Sequence, residues 1–422
     1  MLIRRLWLVA GDDRASAGTL GAPIHGRFVA ACGVALAILA SQLLTAPAAA
    51  RSSPATGHDV QHAASIAMTS SKPVRTRREV GSGFIPATAP FQFVFPRDHA
   101  AHLGYQSEWW YYTGHVRAKD GRRFGYELTF FRVGLKPGDP QLRRGESRWR
   151  GNELYPAHFA LTDESGKTFV HYERFAREAL GAGSASTKDL NVRVDDWFVR
   201  GDGPMQMHAR AGGNAITFSQ VSEKPPAIHG HDGVSKKGPC LSCASHYYSL
   251  TRLHTTGTLV VNGQSLAVDG LSWMDHEFGS DELQKNQAGW DWFALQLDDK
   301  REVMLYRLRQ KDGSVTPQSS GSVVGSRGDV AYLPLAAFSI AANGSWKSPH
   351  TGGIYPSGWR VQIPGSQLDL TLVPTVLDQE LSNTTGGISY WEGAVDVKDT
   401  ATGKVLGVGY VELTGYAGAI SL

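Results

Sequence analysis

Short runs of apolar and aromatic residues, separated by glycine-containing turns, constrain the fold of this chain more than any other feature. The stretch 108–133 holds two such runs on either side of Asp120 and Gly121, and a second pair surrounds Asn262 and Gly263. Asp-Gly and Asn-Gly favour the left-handed backbone that two-residue hairpin turns need. A third pair turns at 298–300 and a fourth lies near the C-terminus. The sequence therefore predicts β-hairpins from about Phe84 onward.

Hairpins at this spacing indicate an all-β fold of the sandwich or barrel type. Two runs share similar strings, GYELTF at 125–130 and YVELTG at 410–415, which indicates two related halves. Glycine (48 residues) and tryptophan (11 residues) suit turns and pleated faces respectively. Helical periodicity is nearly absent, and the segment 171–183 is the best helix candidate.

The N-terminal 50 residues predict export rather than part of the fold. The segment 27–50 has a basic start, an apolar run and small residues before a cut near Ala50, as a secretory signal does. A retained membrane anchor is the alternative, because the run approaches the ~20 residues that span a bilayer. Cys32 lies too early in that run for a lipoprotein cysteine. Residues 51–82 are rich in Ser, Ala and Arg and predict a disordered linker.

Several function classes lack their sequence signals. The formal charge of +3, without a basic stripe, gives no reason to expect nucleic acid. No Gly-x-Gly-x-x-Gly follows a strand and opens a helix, so no dinucleotide cofactor is predicted. Ser389 does not lie in a Gly-x-Ser-x-Gly elbow, which weakens a serine hydrolase interpretation.

The histidines and cysteines allow two further interpretations. The loop-like segment 229–233 (HGHDG), with His246, His254 and His276, could supply metal ligands, but no His-Glu-x-x-His helix accompanies it and we predict no metal. Cys240 and Cys243 predict a local disulfide in an exported chain, with plain thiols as the alternative.

The string GLSWMDHEFGS at 270–280 carries the best candidate for chemistry. Alternation along a strand puts Leu271, Trp273 and Asp275 on one face. A carboxyl packed against apolar rings loses solvation, which raises its pKa and suits it to act as a general acid. The alternative is an aspartate that caps a turn. His276 and Glu277 could simply face solvent.

The same alternation groups other residues. His246 and Tyr248 share a face in SHYYS, and Asp291 shares one with Phe293 in WDWFALQL. Asp291 could instead pair with an arginine or a tryptophan N–H, and Glu108 is open to a similar structural interpretation.

In these strings, namely QSEWWYYTGHV, ASHYYSLTRLHTTGTL, DGLSWMDHEFG, GWDWFALQL and GVGYVELTGY, the sequence resembles the AttH-type proteins, relatives of carotenoid 1,2-hydratase (hydroxyneurosporene synthase) that are often labelled secreted hydrolases. The resemblance extends from about Phe84 to the C-terminus. It implies two lipocalin-like β-barrel or sandwich domains, which we place at 83–282 and 283–422, with a cavity between and within them. The aromatic residues of the matched pairs differ from those of the hydratases, which have Trp and then Tyr. The resemblance therefore predicts the fold more directly than the substrate.

The resemblance also implies site residues and chemistry. The hydratases add water to an isoprenoid double bond without a cofactor, and their catalytic pairs fall here on His246 with Tyr248 and on Trp273 with Asp275. Protonated Asp275 would give its proton to the alkene, and the rings of Trp273 and Tyr248 would stabilise the cation. We expect further residues of the aromatic strings to bind substrate: Glu108, Trp110, Tyr112, Trp290, Asp291 and Trp292.

We therefore expect an exported, periplasmic or secreted, hydratase-type hydro-lyase acting on an apolar, isoprenoid or lipid-like molecule. The alternative from a different class is a non-catalytic carrier of apolar ligands, in keeping with the association of AttH-type proteins with ABC-transporter systems. Secreted acyl or metal-assisted hydrolysis is a third, weaker interpretation.

Overall fold

The computed structural model describes residues 83–137, 151–280, 284–382, 384 and 389–418. The predicted signal and linker, 1–82, lie outside the described residues. The described chain is almost entirely β structure, which confirms the predicted all-β class. The strands of the first sheet are β1 (Ser107–Ala118), β2 (Arg123–Gly134), β3 (Glu153–Asp163), β4 (Thr168–Arg177), β5 (Gly183–Ala185), β6 (Asn191–Val194), β7 (Trp197–Arg200), β8 (Met205–Ala211), β9 (Asn214–Ser222), β10 (Ala227–Ile228), β11 (Ser235–Lys236), β12 (Ala244–Val261) and β13 (Gln264–Gly279).

A second sheet and a small separate hairpin follow. The strands of this part are β14 (Gln287–Leu297), β15 (Glu302–Gln310), β16 (Ser320–Val324), β17 (Val330–Pro334), β18 (Ser339–Ala342), β19 (Ser345–Lys347), β20 (Ile354–Pro356), β21 (Trp359–Ile363), β22 (Leu368–Pro374), β23 (Glu380–Leu381), β24 (Tyr390–Asp399) and β25 (Val405–Thr414). Strands β19 and β20 pair only with each other.

Both large sheets have the same topology. The first runs β4-β3-β2-β1-β13-β12-β9-β8-β7-β6-β5, with β10 and β11 attached to β12, and the second runs β17-β16-β15-β14-β25-β24-β22-β21-β18, with β23 attached to β24. In each, the first long strand pairs with the second and with the last. The edge strands β4 and β5 approach each other, so the first sheet curls nearly into a barrel. Two curled sheets of this kind match the predicted lipocalin-like architecture.

Two details of the sequence prediction change. The segment 171–183 is not a helix, because β4 extends through Arg177 and only the 3₁₀ turn Ala179–Gly181 follows it. The ELT strings lie on β2 and β25, which are not equivalent strands of the two sheets. The two halves are therefore related in topology, as predicted, although not through that motif. The helical turns of the described residues are all short, and none of them is long or apolar enough to cross a bilayer.

The predicted hairpin turns form where glycine permits them. Asn262 and Gly263, between β12 and β13, have φ values of 49° and 81°, as a two-residue turn with two left-handed positions requires. Gly121, between β1 and β2, has φ of 90°. These turns set the register of the long strands.

Alternation divides each sheet into an inner and an outer face. In the first sheet Trp110 and Tyr112 point into the sheet's own core, and Trp109 and Tyr111 point toward the second sheet. The second sheet has its own core, centred on Phe293 and other apolar side chains. A third apolar cluster is formed by residues from both sheets, so the two sheets pack face to face.

Polar contacts fix this packing. The Nη2 of Arg123 lies 2.6 Å from Asp396 Oδ1, and the Nζ of Lys224 lies 2.6 Å from Glu302 Oε2, each joining one sheet to the other. A Cβ atom at Gly125 would lie 2.5 Å from the hydroxyl oxygen of Tyr410. Glycine at that position therefore lets the second sheet approach β2 closely.

Candidate functional site

Asp275 lies in the layer between the two sheets and is 4% exposed. Its Oδ1 accepts hydrogen bonds from the indole of Trp273, at 2.6 Å, and from the hydroxyl of Ser249. Its Oδ2 accepts one from the hydroxyl of Tyr247 at 2.8 Å. The indole of Trp292, from the second sheet, donates to the Tyr247 oxygen at 3.1 Å. The carboxyl is thus held by three neutral donors of the first sheet, one of which is itself bonded by the second sheet.

No arginine or lysine of the described residues forms an ion pair with Asp275. Burial raises the pKa of its carboxyl to about 7, even though the three hydrogen bonds oppose that shift. The nearby Glu277 adds to the increase. Glu277 itself lies 2.7 Å from the ammonium of Lys237, which sits over the rings of Tyr247 and Tyr306. A pKa near 7 leaves a substantial fraction of Asp275 protonated at neutral pH.

Aromatic rings surround this carboxyl. The rings of Trp273 and Trp292 meet edge to face, with centroids 6.2 Å apart, and those of Tyr111 and Trp292 do so at 5.1 Å. Ring faces carry partial negative charge, which attracts a cation. The layer can therefore stabilise a positive charge in a place largely shielded from water.

Three more buried carboxyls lie in the same layer. Tyr111 donates to Glu392 at 2.7 Å, Trp290 donates to Glu412 at 2.8 Å, and Tyr390 donates to Glu127 at 3.1 Å. Burial raises the pKa of all three, that of Glu412 to about 8, and their mutual repulsion adds to the shifts of Glu392 and Glu412. We call Asp275, Glu127, Glu392 and Glu412 the interface carboxyls.

A small cavity of about 10 Å³ lies beside Trp273 and Tyr410 in this layer, which is room for roughly one water molecule. Sites for drug-sized ligands occupy roughly 300–1,000 Å³. An isoprenoid would therefore need the surrounding side chains to move before it could reach Asp275.

The structure separates the predicted catalytic residues into two groups. His246 and Tyr248 lie on the opposite face of β12 from Tyr247 and Ser249, inside the first sheet. His246 Nδ1 bonds the carbonyl of Gly233 at 2.7 Å. The grouping of His246 and Tyr248 with Asp275 is therefore corrected, because neighbouring residues of a strand point to opposite faces.

The aromatic residue beside Asp275 on β12 is Tyr247. Tyr248 instead hydrogen-bonds to His99, at 2.6 Å, and to His276, at 3.0 Å. Both histidines belong to the interior of the first sheet, and burial lowers the pKa of each.

Three predicted substrate-binding residues, Glu108, Trp110 and Tyr112, also lie inside the first sheet, away from Asp275. Glu108 is fully buried and pairs with Arg132 at 2.8 Å. It also bonds His102 and His276, each at 2.8 Å. Glu108 is thus an ion-pair partner inside the first sheet, as the alternative interpretation had it. His276 and Glu277, for which exposure to solvent was one possibility, are both buried.

The second aromatic string divides in the same way. Trp290 and Trp292 lie in the layer between the sheets. Asp291 points into the second sheet, where Arg307 and Arg309 each contact it at 2.8 Å. Asp291 is therefore an ion-pair partner, as the alternative interpretation had it.

The histidines suit a metal only in one place among the described residues. Ligand atoms of His102, Glu108 and His276 lie within 4.8 Å of one another. The Glu108 carboxylate already accepts hydrogen bonds from both imidazoles and from Arg132, whose positive charge opposes a second cation. The predicted alternative segment 229–233 places His229 between Ser249 and Ser322 instead.

Cys240 and Cys243 form a disulfide in the structure. Lys237 lies just before the loop that they close, and its backbone N–H donates to the carbonyl of Cys243 at 2.8 Å. The disulfide thus lies next to the lysine that contacts Glu277.

Sequence reasoning missed Tyr111, Tyr247, Ser249 and the three interface glutamates. WWYY and HYYS each place aromatic residues on both faces of their strand. The sequence alone does not show which face packs against the other sheet. Tyr111 and Ser249 are the residues paired with Asp275 on its two neighbouring strands, so the register would have identified them.

Comparison with known proteins agrees with this architecture. The family model for AttH-like proteins matches residues 86–416. The crystal structure of an AttH protein from Nitrosomonas europaea is 30% identical and covers 79% of this chain and 100% of its own, with a TM-score of 0.71. Kievitone hydratase from Nectria haematococca has a similar fold, at 15% identity and a TM-score of 0.59, over 79% of this chain and 96% of its own. No curated protein matched significantly.

Proposed function

The chain belongs to the AttH-like family, and from that premise we propose that it is an exported hydratase-type enzyme that adds water to a C=C bond of an isoprenoid or other apolar substrate without a cofactor. The observation that carries this proposal is the Asp275 carboxyl. It is buried, bonded only to neutral donors and flanked by indole and phenol rings. Similarity of fold to a hydratase is in keeping with this chemistry.

Acid-catalysed hydration needs a proton donor that stays protonated near neutral pH. The burial that raises the Asp275 pKa to about 7 meets that need. Proton transfer to one alkene carbon leaves a cation on the other, and the carboxylate of Asp275 remains. Trp273, Trp292 and Tyr111 would then face the cation, an attraction on the order of 2 kcal/mol per ring when water is excluded.

The hydrogen bonds from neutral donors are also already in place to stabilise the Asp275 carboxylate that this step creates. Ser249, Tyr247 and Trp273 all donate to Asp275, and Trp292 steadies the Tyr247 hydroxyl. Donors fixed in advance stabilise charge without reorganising during the reaction. In this proposal Tyr247 takes the place that the sequence analysis gave to Tyr248.

The test is turnover of terpenoids in ¹⁸O-labelled water. Geraniol, farnesol, squalene and lycopene are incubated with the purified chain, and mass spectrometry follows alcohols that carry ¹⁸O. We expect at least one labelled hydrate from wild type and none from Asp275→Asn. Equal amounts of hydrate from the folded variant would remove Asp275 as the acid.

A carrier of apolar molecules, working with an ABC-transporter system, is the second candidate. The apolar cluster shared by the two sheets supports this candidate, because holding an apolar molecule needs such a lining but no proton donor. Binding of the same terpenoids can be measured by quenching of tryptophan fluorescence. Binding without any labelled alcohol would support the carrier over the enzyme.

A further inference from the structure

Two buried glutamates, one from each sheet, each accept a hydrogen bond from a tyrosine of the opposite sheet. Tyr111 of the first sheet donates to Glu392 Oε1 of the second at 2.7 Å. Tyr390 of the second sheet donates to Glu127 Oε1 of the first at 3.1 Å. Both carboxyls are 1% exposed. The crossed hydrogen bonds hold the two carboxyls in the same part of the layer.

Each of these carboxyls has one oxygen to which no described residue donates a hydrogen bond. Glu127 Oε2 and Glu392 Oε2 are buried and make no hydrogen bond to any described residue. The Oε1 of Glu127, by contrast, also accepts from the hydroxyl of Thr129 at 2.7 Å. Buried polar atoms in native proteins nearly always have a partner, and a bound water or a ligand atom is the usual one when the protein supplies none.

The two carboxyls differ in how readily they ionise. Burial raises the pKa of Glu392 well above its usual range, and the charges of Glu127 and Glu412 raise it further. Burial also raises the pKa of Glu127, but His158 and the hydroxyls of Thr129 and Tyr390 oppose that shift. Glu392 therefore holds a proton more tightly than Glu127, so a single proton shared by the pair lies on Glu392. Such a pair offers one donor and one acceptor.

We propose that Glu127 and Glu392 bind the water molecule that attacks the substrate, with Glu392 donating to its oxygen and Glu127 receiving its proton. This inference rests on the proposed hydratase function. A water molecule has the donor and the acceptor that the two free oxygens require. Tyr111, which bonds Glu392, is also the register partner of Asp275, so the acid and the water lie in one layer.

The reaction balances with these groups alone. The O–H bond of Asp275 breaks and a C–H bond forms, which leaves a carbocation and the Asp275 carboxylate. The water oxygen then forms the C–O bond, and one water O–H bond breaks as its proton passes to Glu127. The sum is alkene plus water giving alcohol, and exchange with solvent returns the proton from Glu127 and reloads Asp275.

The first test needs no substrate. Infrared spectra of the full purified chain in D₂O would follow protonated carboxyls against pH. We expect Glu392→Gln to remove one protonated-carboxyl band that wild type shows at neutral pH. Glu127→Gln, which removes the neighbouring charge, shifts the ionisation of the Glu392 band to lower pH. A Glu392 band that is unaffected by Glu127→Gln would overturn the coupled pair.

A crystal structure gives the second test. We expect an ordered water within hydrogen-bond distance of both Oε2 atoms in wild type, displaced in Glu392→Gln. A site empty of water at high resolution would contradict the proposal. The exposed Glu223 supplies the matched control, since Glu223→Gln makes the same chemical change at a side chain in contact with solvent.

The third test uses whichever terpenoid the wild type hydrates. Without a positioned water the cation loses a proton instead, so Glu127→Gln should lower the ratio of hydrate to isomerised alkene at least tenfold. An unchanged ratio in folded Glu127→Gln and Glu392→Gln would sink the water-binding role. Turnover retained by Asp275→Asn would instead sink the proposed function, and the spectra and crystal structure would still decide on the carboxyl pair.

Discussion

Glu108 and Asp291 occupy equivalent positions in the two sheets. Each lies near the start of the first long strand, and each pairs with the arginine directly opposite on the next strand, at 2.8 Å. Both carboxylates are fully buried. The topological repeat therefore extends to a buried ion pair, which marks these two positions as part of the framework of each half.

We expect Arg132→Met to destabilise the chain by about 3–5 kcal/mol, because it leaves Glu108 charged, buried and without its guanidinium. Urea unfolding measures the loss. Arg132→Met combined with Glu108→Gln should recover part of it, since Glu108 is then uncharged, whereas Glu153, which Arg132 also contacts at 2.9 Å, still lacks its partner.

The exposed pair Arg360 and Asp369 gives the control for this experiment. Arg360→Met should leave the unfolding midpoint close to that of wild type, because solvent screens an exposed pair. Equal stability of Arg132→Met and wild type would show that the buried pair does not support the fold.

Much of this fold was readable in the sequence because turns and alternation are local. Asn262 and Gly263 mark their hairpin by backbone preference alone, and the face shared by Trp273 and Asp275 follows from strand geometry. The helix prediction for the segment 171–183 was wrong because it followed the helix preference of Glu, Arg, Ala and Leu. Pairing of β4 with β3 overrides that preference, and β4 keeps polar side chains because most of them are at least partly exposed.

The residues of the site were harder to predict from the sequence, because they depend on which face of each strand packs against the other sheet. Trp109 with Tyr111 and Trp110 with Tyr112 are equally aromatic, yet only the first pair faces the second sheet. The same ambiguity separates Tyr247 from Tyr248. Glu392 lies far along the chain from Tyr111, and only the packing of the two sheets brings their side chains together.

Asp275→Asn should abolish turnover, by a factor of roughly 10²–10⁴ or more, because it removes the proton donor and keeps the shape. Uptake of the same terpenoid, measured by tryptophan quenching, should remain within a few-fold of wild type. Ser249→Ala, which removes one donor to Asp275, should lower the rate less. A variant that loses binding and turnover together would point to a binding role for Asp275.

The rate should fall with pH above neutrality. Asp275 acts in its protonated form, and its pKa is about 7. Activity should therefore fall about tenfold per pH unit above that value. Initial rates with saturating terpenoid over pH 5–9 measure this profile, with circular dichroism to confirm that the chain stays folded. A rate that rises through this range would rule out Asp275 as the acid.

The Cys240–Cys243 disulfide should form in an oxidising compartment, and its loss should loosen the adjacent segment that carries Lys237. A disulfide closing so short a loop contributes about 2 kcal/mol in the chain-entropy account. We expect no free thiol at either position by mass spectrometry after alkylation, and a matching drop in stability for Cys240→Ser with Cys243→Ser. Two alkylated cysteines in protein isolated from an oxidising compartment would contradict the pairing.

The raised pKa of Asp275 also predicts how stability changes with pH. The folded carboxyl has a pKa of about 7 against 3.8 for the ordinary side chain, so between these values the folded chain binds more protons than the unfolded chain. Stability from this group is therefore complete below about pH 4 and falls as pH rises toward 7, by at most roughly 4 kcal/mol. Asp275→Asn cannot ionise, so the stability of wild type relative to the variant should decline across this window in urea unfolding at matched pH values. Glu223→Gln, an exposed carboxyl change, should run parallel to wild type at every pH. Parallel curves for wild type and Asp275→Asn would mean that Asp275 ionises as readily in the folded chain as in the unfolded one, and the acid role would lose its physical basis.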